Sequence, residues 1–156
     1  MAESAKWRKE ESAGGVVYKK QNGKISVLLI MPKGKNFGPP VGYWTWPKGL
    51  SQAGEEKKDS ALREVREESG VEAEIKEDLG YVKFFRGYDK TLKFVYFFLM
   101  EYKSGDPKDH DDEVADAEWV GIDEALEKLK FPHDKEVLER AIKSLRGAEG
   151  DAAIPS

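Results

Sequence analysis

Three glutamates that lie close together, Glu64, Glu67 and Glu68, are the residues of this sequence best suited to chemistry. At about 100° of rotation per helical residue, they fall on one flank of a helix, beside the apolar stripe formed by Ala61 and Val65. Like charges at this spacing destabilise an isolated helix, so the arrangement needs another reason to exist. Hard oxygen ligands on a rigid element suit Mg²⁺ or Mn²⁺. The pattern therefore indicates a divalent-metal site, and the alternative is a solvated acidic face on a surface helix.

The elements that must position these carboxylates can be predicted from periodicity. The glutamates lie in a predicted helix over residues 55–69, which Gly70 ends. The run ISVLLIM at residues 25–31 is almost continuously apolar, as in a strand covered on both faces. We therefore predict an α/β fold, an α/β/α sandwich with a mixed β-sheet. The other predicted strands are 12–18, 43–47, 71–85, 91–102 and 117–120, the other helices are 123–129 and 134–145, and an acidic loop covers 104–116.

Length and composition narrow the class of protein. The 156 residues suggest one domain, which we place at residues 12–146, between polar tails at 1–11 and 147–156. The absence of cysteine excludes disulfides and thiolate metal sites, and the two histidines are too far apart to form a helical ligand pair. No apolar run approaches the roughly 20 residues of a membrane helix, and the N-terminus lacks the apolar core of a secretory signal. We therefore expect a cytoplasmic protein without a membrane partner.

Charge is distributed unevenly along the chain, whose formal net charge is −4. Residues 1–48 contain nine basic and three acidic residues, whereas residues 49–156 contain 17 basic and 27 acidic residues. A general nucleic-acid binder would show a broad basic excess, so we do not expect DNA as a partner. A smaller polyanion could bind where the basic and acidic parts meet, if divalent cations neutralise the carboxylates.

The spacing of residues around the glutamates is more specific than the helix alone. Gly49 is followed after five residues by Glu55, and after seven more by Arg63-Glu64-Val65, one residue, Glu67-Glu68, one residue and Gly70-Val71. This pattern resembles the signature of the Nudix hydrolases at every defined position. The resemblance covers roughly residues 12–145 and implies a Nudix α/β/α fold. It also implies divalent-metal dependence and hydrolysis of a nucleoside diphosphate linked to another group.

The resemblance implies roles for individual residues. Glu64, Glu67 and Glu68 match the family's metal ligands, with Mg²⁺ or Mn²⁺ as cofactor, and the backbone carbonyl of Gly49 joins them. Glu55 matches a glutamate linked to the metal indirectly. Arg63 matches an arginine that orients the carboxylates. Gly70, which also belongs to the signature, ends the helix.

The implied mechanism is in-line attack of water on phosphorus, with a carboxylate that accepts the proton. Two carboxylates are candidates for this general base. One is Glu64 in the helix, and the other is Glu113 in the acidic loop, where related enzymes often carry a catalytic or metal-linked glutamate. The sequence leaves this choice open.

The residues before the signature bear on the substrate. Trp44-Thr45-Trp46-Pro47-Lys48-Gly49 and the later Phe131-Pro132-His133-Asp134 resemble the diadenosine polyphosphate hydrolases within the family. Ala53 departs from that subgroup, which more often has proline before the next glycine. The resemblance favours diadenosine tetra- to hexaphosphates, with ATP as one product. Nucleoside triphosphates, RNA 5′-triphosphate ends, inositol pyrophosphates and a non-catalytic sensor role remain alternatives, and the oligomeric state is not readable.

Several side chains are candidates for contacting this substrate. Lys48 would contact phosphate as a point charge. The two tryptophans of the motif are expected in the core rather than against a base. The remaining candidates are Tyr43, Tyr88 and Tyr96 as platforms for adenine, Lys33 and Lys35 for distal phosphates, and His133 for phosphate at the mouth of the site.

Overall fold

In residues 7–34 and 38–148, which this computed structural model describes, six strands form one mixed sheet. The sheet order is β4-β5-β1-β2-β6, and β3 pairs with β1 beside this path. The central pair β1–β5 is parallel, and the other pairs are antiparallel. The strands are β1 Arg8–Gln21, β2 Lys24–Pro32, β3 Lys48–Leu50, β4 Val71–Arg86, β5 Thr91–Gly105 and β6 Val114–Gly121.

Helices cover both faces of the sheet. They are α1 Lys57–Ser69, α2 Ile122–Lys128 and α3 Pro132–Ala148, and short 3₁₀ turns occur at Gly87–Asp89 and Pro107–Asp109. Val65 of α1 packs in the apolar cluster on one face, and Leu138 of α3 packs in the cluster on the other. The predicted α/β/α arrangement with a mixed sheet is confirmed.

Strand β2 shows why the sandwich could be predicted. Val27 and Leu29 are buried in the cluster on the α3 side, whereas Leu28 is buried in the cluster on the α1 side. Successive side chains of a strand point to opposite faces, so a strand buried on both faces must be apolar at every position. The run ISVLLIM meets this requirement.

Regular secondary structure extends past the predicted domain boundaries at both ends. Strand β1 begins at Arg8 and pairs with β5 from that residue onward, so residues 8–11 belong to the sheet. These residues are polar and were therefore not predicted as a strand. Their charges form ion pairs within the sheet, as between Glu10 and Lys93 at 3.0 Å. At the other end, α3 continues to Ala148 and includes the first two residues of the predicted C-terminal tail.

The predicted strand at residues 43–47 is instead a segment with isolated pairings. Thr45 pairs with Ile30, and Trp44 pairs with Leu129. The Trp46 side chain is fully buried in the core, as expected, and Trp44 packs partly buried against the same cluster. None of the described helices is both long and apolar enough to cross a bilayer.

Candidate active site

The last turn of α1 and the short strand β3 form one cleft of about 320 Å³. Gly70 ends α1 in the left-handed region, with φ of 75°, and its N–H donates to the Arg66 carbonyl. Strand β3 is held beside the helix by its pairing with β1, where Gly49 lies opposite Ala13. The cleft is lined by Gly49, Leu50, Glu64, Glu67, Glu68, Asp111 and Glu113.

Gly49 is required by close approach rather than by backbone conformation. A Cβ atom at this position would overlap the Glu64 carboxylate. The absent side chain therefore lets a glutamate of α1 lie directly against the backbone of β3. This contact gathers the backbone of Gly49 and the carboxylate of Glu64 at one wall of the cleft.

Arg63 ties the carboxylates of this region together. Its Nε donates to Glu55 at 2.8 Å, while Nη1 donates to Glu64 at 2.9 Å and to Glu67 at 3.1 Å. Nη2 bonds the Leu50 carbonyl and the second oxygen of Glu55. A planar fork of donors suits such multiple bonding better than an ammonium would. Arg63 can therefore fix the orientation of two cleft glutamates without entering the cleft chemistry itself.

Glu55 anchors that arginine from outside the cleft. Its carboxylate accepts from Ser60 Oγ at 2.7 Å and from the Gln52 N–H at 2.9 Å, in addition to Arg63. The hydrogen bond from Arg63, followed by those from Gln52 and Ser60, lowers the pKa of Glu55 to about 2. It remains an anion throughout the physiological range, and α1 begins at Lys57, two residues after it.

The pKa values of two cleft glutamates, Glu64 and Glu68, are shifted upward, opposite to that of Glu55. Burial raises the pKa of Glu68 to about 8, against the opposing hydrogen bond from the Lys48 N–H at 2.9 Å. Burial also raises the pKa of Glu64, with the nearby charges of Glu67 and Glu113 adding to the shift. A desolvated carboxylate among other carboxylates favours the arrival of a cation.

The cleft fits a hard divalent cation by donor type. Its polar lining is carboxylate and carbonyl oxygen, the set that Mg²⁺ and Mn²⁺ prefer. Within residues 7–34 and 38–148, no three His, Asp or Glu side chains converge closely enough to hold an ion as they stand. Glu64 and Glu67 each give one oxygen to the same nitrogen, Arg63 Nη1, so these two oxygens are bonded to the guanidinium. Ligation therefore requires side-chain rotation about a backbone that is already in place.

Lys48 connects the cleft to a second buried carboxylate. Its backbone N–H bonds Glu68, and its Nζ donates to Thr45 Oγ1 at 3.1 Å. The Thr45 hydroxyl in turn donates to Asp134 Oδ2 at 2.7 Å, and the Trp46 indole donates to the Asp134 carbonyl. Asp134 Oδ1 is buried and has no hydrogen bond within the described residues. These contacts hold the Lys48 ammonium at the edge of the cleft.

His133 lies between two aromatic rings beside this pair. Its ring stacks on Phe84 with centroids 4.8 Å apart and on Phe131 with centroids 5.4 Å apart. Tyr43 meets Phe131 edge to face at 4.9 Å. Burial lowers the pKa of His133, which favours a neutral imidazole. The structure thus places Tyr43 and His133 together in an aromatic group with Phe84 and Phe131.

The other predicted contacts lie apart from the cleft. Tyr88 is 84% exposed on the turn between β4 and β5, and Tyr96 lies on the sheet face near the start of α1, with its hydroxyl bonded to Glu11. The Lys33 N–H bonds the carbonyl of Glu113, so its backbone borders the acidic loop. Lys35 lies outside the described residues.

Two residues near the site were missed from the sequence. Asp111 lines the cleft and accepts from the Glu113 N–H at 3.0 Å, but the loop contains so many acids that nothing singled it out. Asp134 is separated from its partner Thr45 by 89 residues. The only signal for it was its place in the Phe-Pro-His-Asp motif.

The family model of the NUDIX domain matches residues 8–141. The chain belongs to the Nudix hydrolase family. Members of this family generally use divalent metal ions, typically Mg²⁺ or Mn²⁺, in agreement with the donor set of the cleft. The predicted family is therefore confirmed.

Relatives within the family differ in their named activities. A rat protein named bis(5′-nucleosyl)-tetraphosphatase (asymmetrical) is 33% identical over 137 residues, covering 80% of this chain and 83% of the relative. MutT4 of Mycobacterium tuberculosis, a mutator-type protein, is 31% identical over 151 residues, covering 94% of this chain and 60% of MutT4. The crystal structure of a Caenorhabditis elegans Ap4A hydrolase binary complex superposes with a TM-score of 0.74 at 24% identity, covering 88% and 98% of the two chains, and supports the fold.

Proposed function

We propose that this Nudix hydrolase cleaves diadenosine tetra- to hexaphosphates and releases ATP as one product. The observation that carries the proposal is the position of Lys48. Its backbone bonds Glu68 in the acidic cleft, and its ammonium reaches Thr45, which bonds Asp134 beside the aromatic group. The Lys48 ammonium therefore lies between carboxylates suited to a metal ion and aromatic rings suited to a nucleotide base. The names of relatives such as the rat tetraphosphatase agree with this substrate.

The aromatic group offers a base-binding surface on the far side of Lys48. Phe84, His133 and Phe131 stand nearly parallel, with interplanar angles of 18° and 11°. The imidazole occupies the position that a planar heterocycle would take between two phenyl rings. Rotation of His133 outward would admit a purine there, with the polyphosphate running past Lys48 into the cleft.

In the proposed mechanism, one set of residues holds the metal and a further carboxylate accepts a proton. Glu64, Glu67, Glu68 and the Gly49 carbonyl would hold the metal, which neutralises polyphosphate charge and acidifies water when bound. Water attacks one phosphorus in line, and the bond from that phosphorus to the bridging oxygen breaks, so that the rest of the polyphosphate leaves. A carboxylate accepts the proton that water loses.

Of the two candidates for the base, Glu113 and Glu64, we propose Glu113. The Glu64 carboxylate bonds Arg63 at 2.9 Å and is also a proposed metal ligand, so its oxygens are engaged by other partners. Glu113 lines the same cleft, and among the described residues only its backbone is recorded in a hydrogen bond. We expect Glu113→Gln to lower kcat by about 10²-fold or more with little change in KM.

The same measurement on Glu64→Gln distinguishes the two candidates. A pH–rate profile should keep its acidic limb in Glu64→Gln and lose it in Glu113→Gln. An unchanged kcat for Glu113→Gln would clear this residue of the role of base.

The substrate proposal is tested with a panel of purified compounds and Mg²⁺. We expect kcat/KM for diadenosine tetraphosphate to exceed that for dGTP, 8-oxo-dGTP and 5′-triphosphate RNA by tenfold or more, that is by about 1.4 kcal/mol of transition-state binding. Chelation with EDTA serves as the control for metal-independent release. Faster hydrolysis of 8-oxo-dGTP would overturn the substrate and favour an activity of the mutator type, for which the MutT4 relative is the supporting observation.

A further inference from the structure

The sheet carries an aromatic strip outside the cleft. On the face that α1 covers in part, Phe85 of β4 lies opposite Leu92 of β5, and Tyr81 lies opposite Tyr96. The Tyr81 ring lies 5.5 Å from the Phe94 ring and 5.6 Å from the Tyr96 ring, and the Trp7 ring lies against Phe85. We define the aromatic strip as Trp7, Tyr81, Phe85, Leu92, Phe94 and Tyr96.

No described helix covers the end of this strip that contains Trp7, Tyr81 and Phe85, whereas Tyr96 packs against the cluster under α1. Helix α1 packs on the other end of the same face, over residues such as Val17 and Met100. Three members of the strip remain about half exposed: Trp7 at 51%, Phe85 at 50% and Tyr81 at 47%. Large apolar side chains that are exposed side by side indicate a binding surface.

Lysines lie over the rings of the strip. Lys9 Nζ is 4.9 Å from the Phe94 centroid, Lys83 Nζ is 6.0 Å from the same ring, and Lys57 Nζ is 5.4 Å from the Tyr96 centroid. Glu11 pairs with Lys9 and Lys57. Lys83 is exposed, and no ion pair is recorded for it within the described part of the chain. The strip thus combines stacking surfaces with a net positive charge.

We propose that the aromatic strip binds a single-stranded polynucleotide. Exposed aromatic rings on a sheet stack with unpaired bases, and neighbouring ammonium groups neutralise the phosphates. An interface between two copies of the chain fits less well, because lysine is depleted in protein–protein interfaces. The excess of positive charge is local, which agrees with a net charge of −4 and predicts weak binding that is sensitive to salt.

The strip is continuous with the region of the cleft. A hollow of about 350 Å³ lies between them, lined by Lys9, Glu11 and Lys57 on one side and by residues 51–55 on the other. Those residues follow directly after Gly49 and Leu50 of the cleft. A bound strand would therefore approach the catalytic end of the sheet. The proposal goes beyond dinucleotide hydrolysis and does not depend on it.

Fluorescence anisotropy with labelled single-stranded RNA and DNA of about 12 nucleotides tests the proposal, in EDTA so that nothing is hydrolysed. The wild-type protein should bind, and affinity should fall as salt rises. Phe85→Ala should weaken binding about fivefold or more, because it removes one stacking platform. Lys83→Glu should weaken binding and reduce the salt slope by about one phosphate contact. Comparison of the two probes shows whether the strip accepts ribose and deoxyribose alike.

The matched control is Lys24→Glu, which makes the same charge change on the first residue of β2, beside the opposite end of β1. It should bind as the wild type does, and all three variants should retain hydrolysis of small nucleotides. The proposal is overturned if neither probe binds or if Phe85→Ala and Lys83→Glu bind unchanged. It is also overturned if sedimentation shows a dimer that Phe85→Ala dissociates, or if the strip binds anionic vesicles instead of either strand.

Discussion

Lys48 lies between two carboxylates in different surroundings, the partly buried Glu68 of the cleft and the fully buried Asp134. On one side, Glu68 receives one backbone N–H and is surrounded by other carboxylates, and burial raises its pKa to about 8. On the other side, Asp134 accepts a hydroxyl bond from Thr45 inside the core, while its backbone carbonyl accepts from Trp46. Asp134 therefore receives a side-chain donor on Oδ2, while its buried Oδ1 has no hydrogen bond, and Glu68 receives only a backbone N–H. Among the described residues, what sets Glu68 apart is the group of carboxylates around it.

This difference indicates what each side is for. Glu68 is desolvated among other carboxylates, Glu64 and Asp111, so its side favours a cation from solution. Asp134 is held by Thr45 at Oδ2 and by Trp46 at its backbone carbonyl, so this side can serve as a fixed support for the Lys48 ammonium through Thr45. We therefore expect substitutions on the Glu68 side to change metal dependence and substitutions on the Asp134 side to change substrate affinity.

The largest effect is expected for Glu68→Gln. It keeps the shape of the side chain but removes the charge that attracts the metal, so kcat/KM should fall by about 10³-fold, equivalent to several kcal/mol. Mg²⁺ titration of activity is the measurement, and the apparent metal affinity should fall with it. With a pKa of about 8, the Glu68 carboxyl of the metal-free protein is mostly neutral at pH 7, as glutamine is, so the metal-free variant should melt at a temperature no lower than the wild type. Full activity at ordinary Mg²⁺ would contradict the assignment of this cleft as the metal site.

Arg63→Lys should have the next largest effect. Lysine keeps the charge but cannot bond Glu55, Glu64 and Glu67 at once, so kcat should fall by about 10- to 100-fold, as for groups that orient metal ligands. The matched control is Arg66→Lys, an exposed arginine of the same helix, which should leave kcat unchanged. Equal losses in both variants would show that helix stability, rather than orientation, explains the effect.

A smaller effect, on KM rather than kcat, is expected for Thr45→Val. Valine fills the same space but removes the acceptor of Lys48 and the donor to Asp134, so KM should rise about tenfold. Thr45→Ser restores the hydroxyl and should restore KM. In a Lys48→Met background, Thr45→Val should raise KM no further, and an additional rise there would show that Thr45 does not act through Lys48.

The two sides also differ in how far the sequence could predict them. The cleft residues Gly49, Arg63 and the glutamates lie close together in the sequence. Spacing and helical periodicity were therefore enough to predict that they form one site. The Thr45–Asp134 bond joins residues 89 apart and depends on how α3 packs against the sheet. Charged segments were the second kind of feature that the sequence could not predict. Residues 8–11 are polar, yet they form a strand because they pair with the start of β5. Local polarity does not reveal such a distant partner.

A separate effect, on stability rather than on catalysis, is a pH dependence of unfolding in the metal-free protein. The folded pKa of Glu68 is about 8, above its ordinary value of 4.5, so the folded state binds more protons than the unfolded state between these values. Stability should therefore fall as pH rises from 5 to 8 and level off above that. The lowered pKa of Glu55 acts only below this range, because its contribution is lost as pH falls below about 4.

Thermal melting in EDTA across this pH range measures the effect, with Glu68→Gln as the control. The difference between the two proteins isolates Glu68 from His133, whose lowered pKa makes stability rise with pH up to its ordinary value of 6.5. Saturating Mg²⁺ should reverse the trend in the wild type, because a metal binds the deprotonated carboxylate and stabilises the folded state more at higher pH. If the wild type and Glu68→Gln show the same pH dependence in EDTA, Glu68 does not have the raised pKa. The contrast between the two sides of Lys48 must then depend on Glu64 instead.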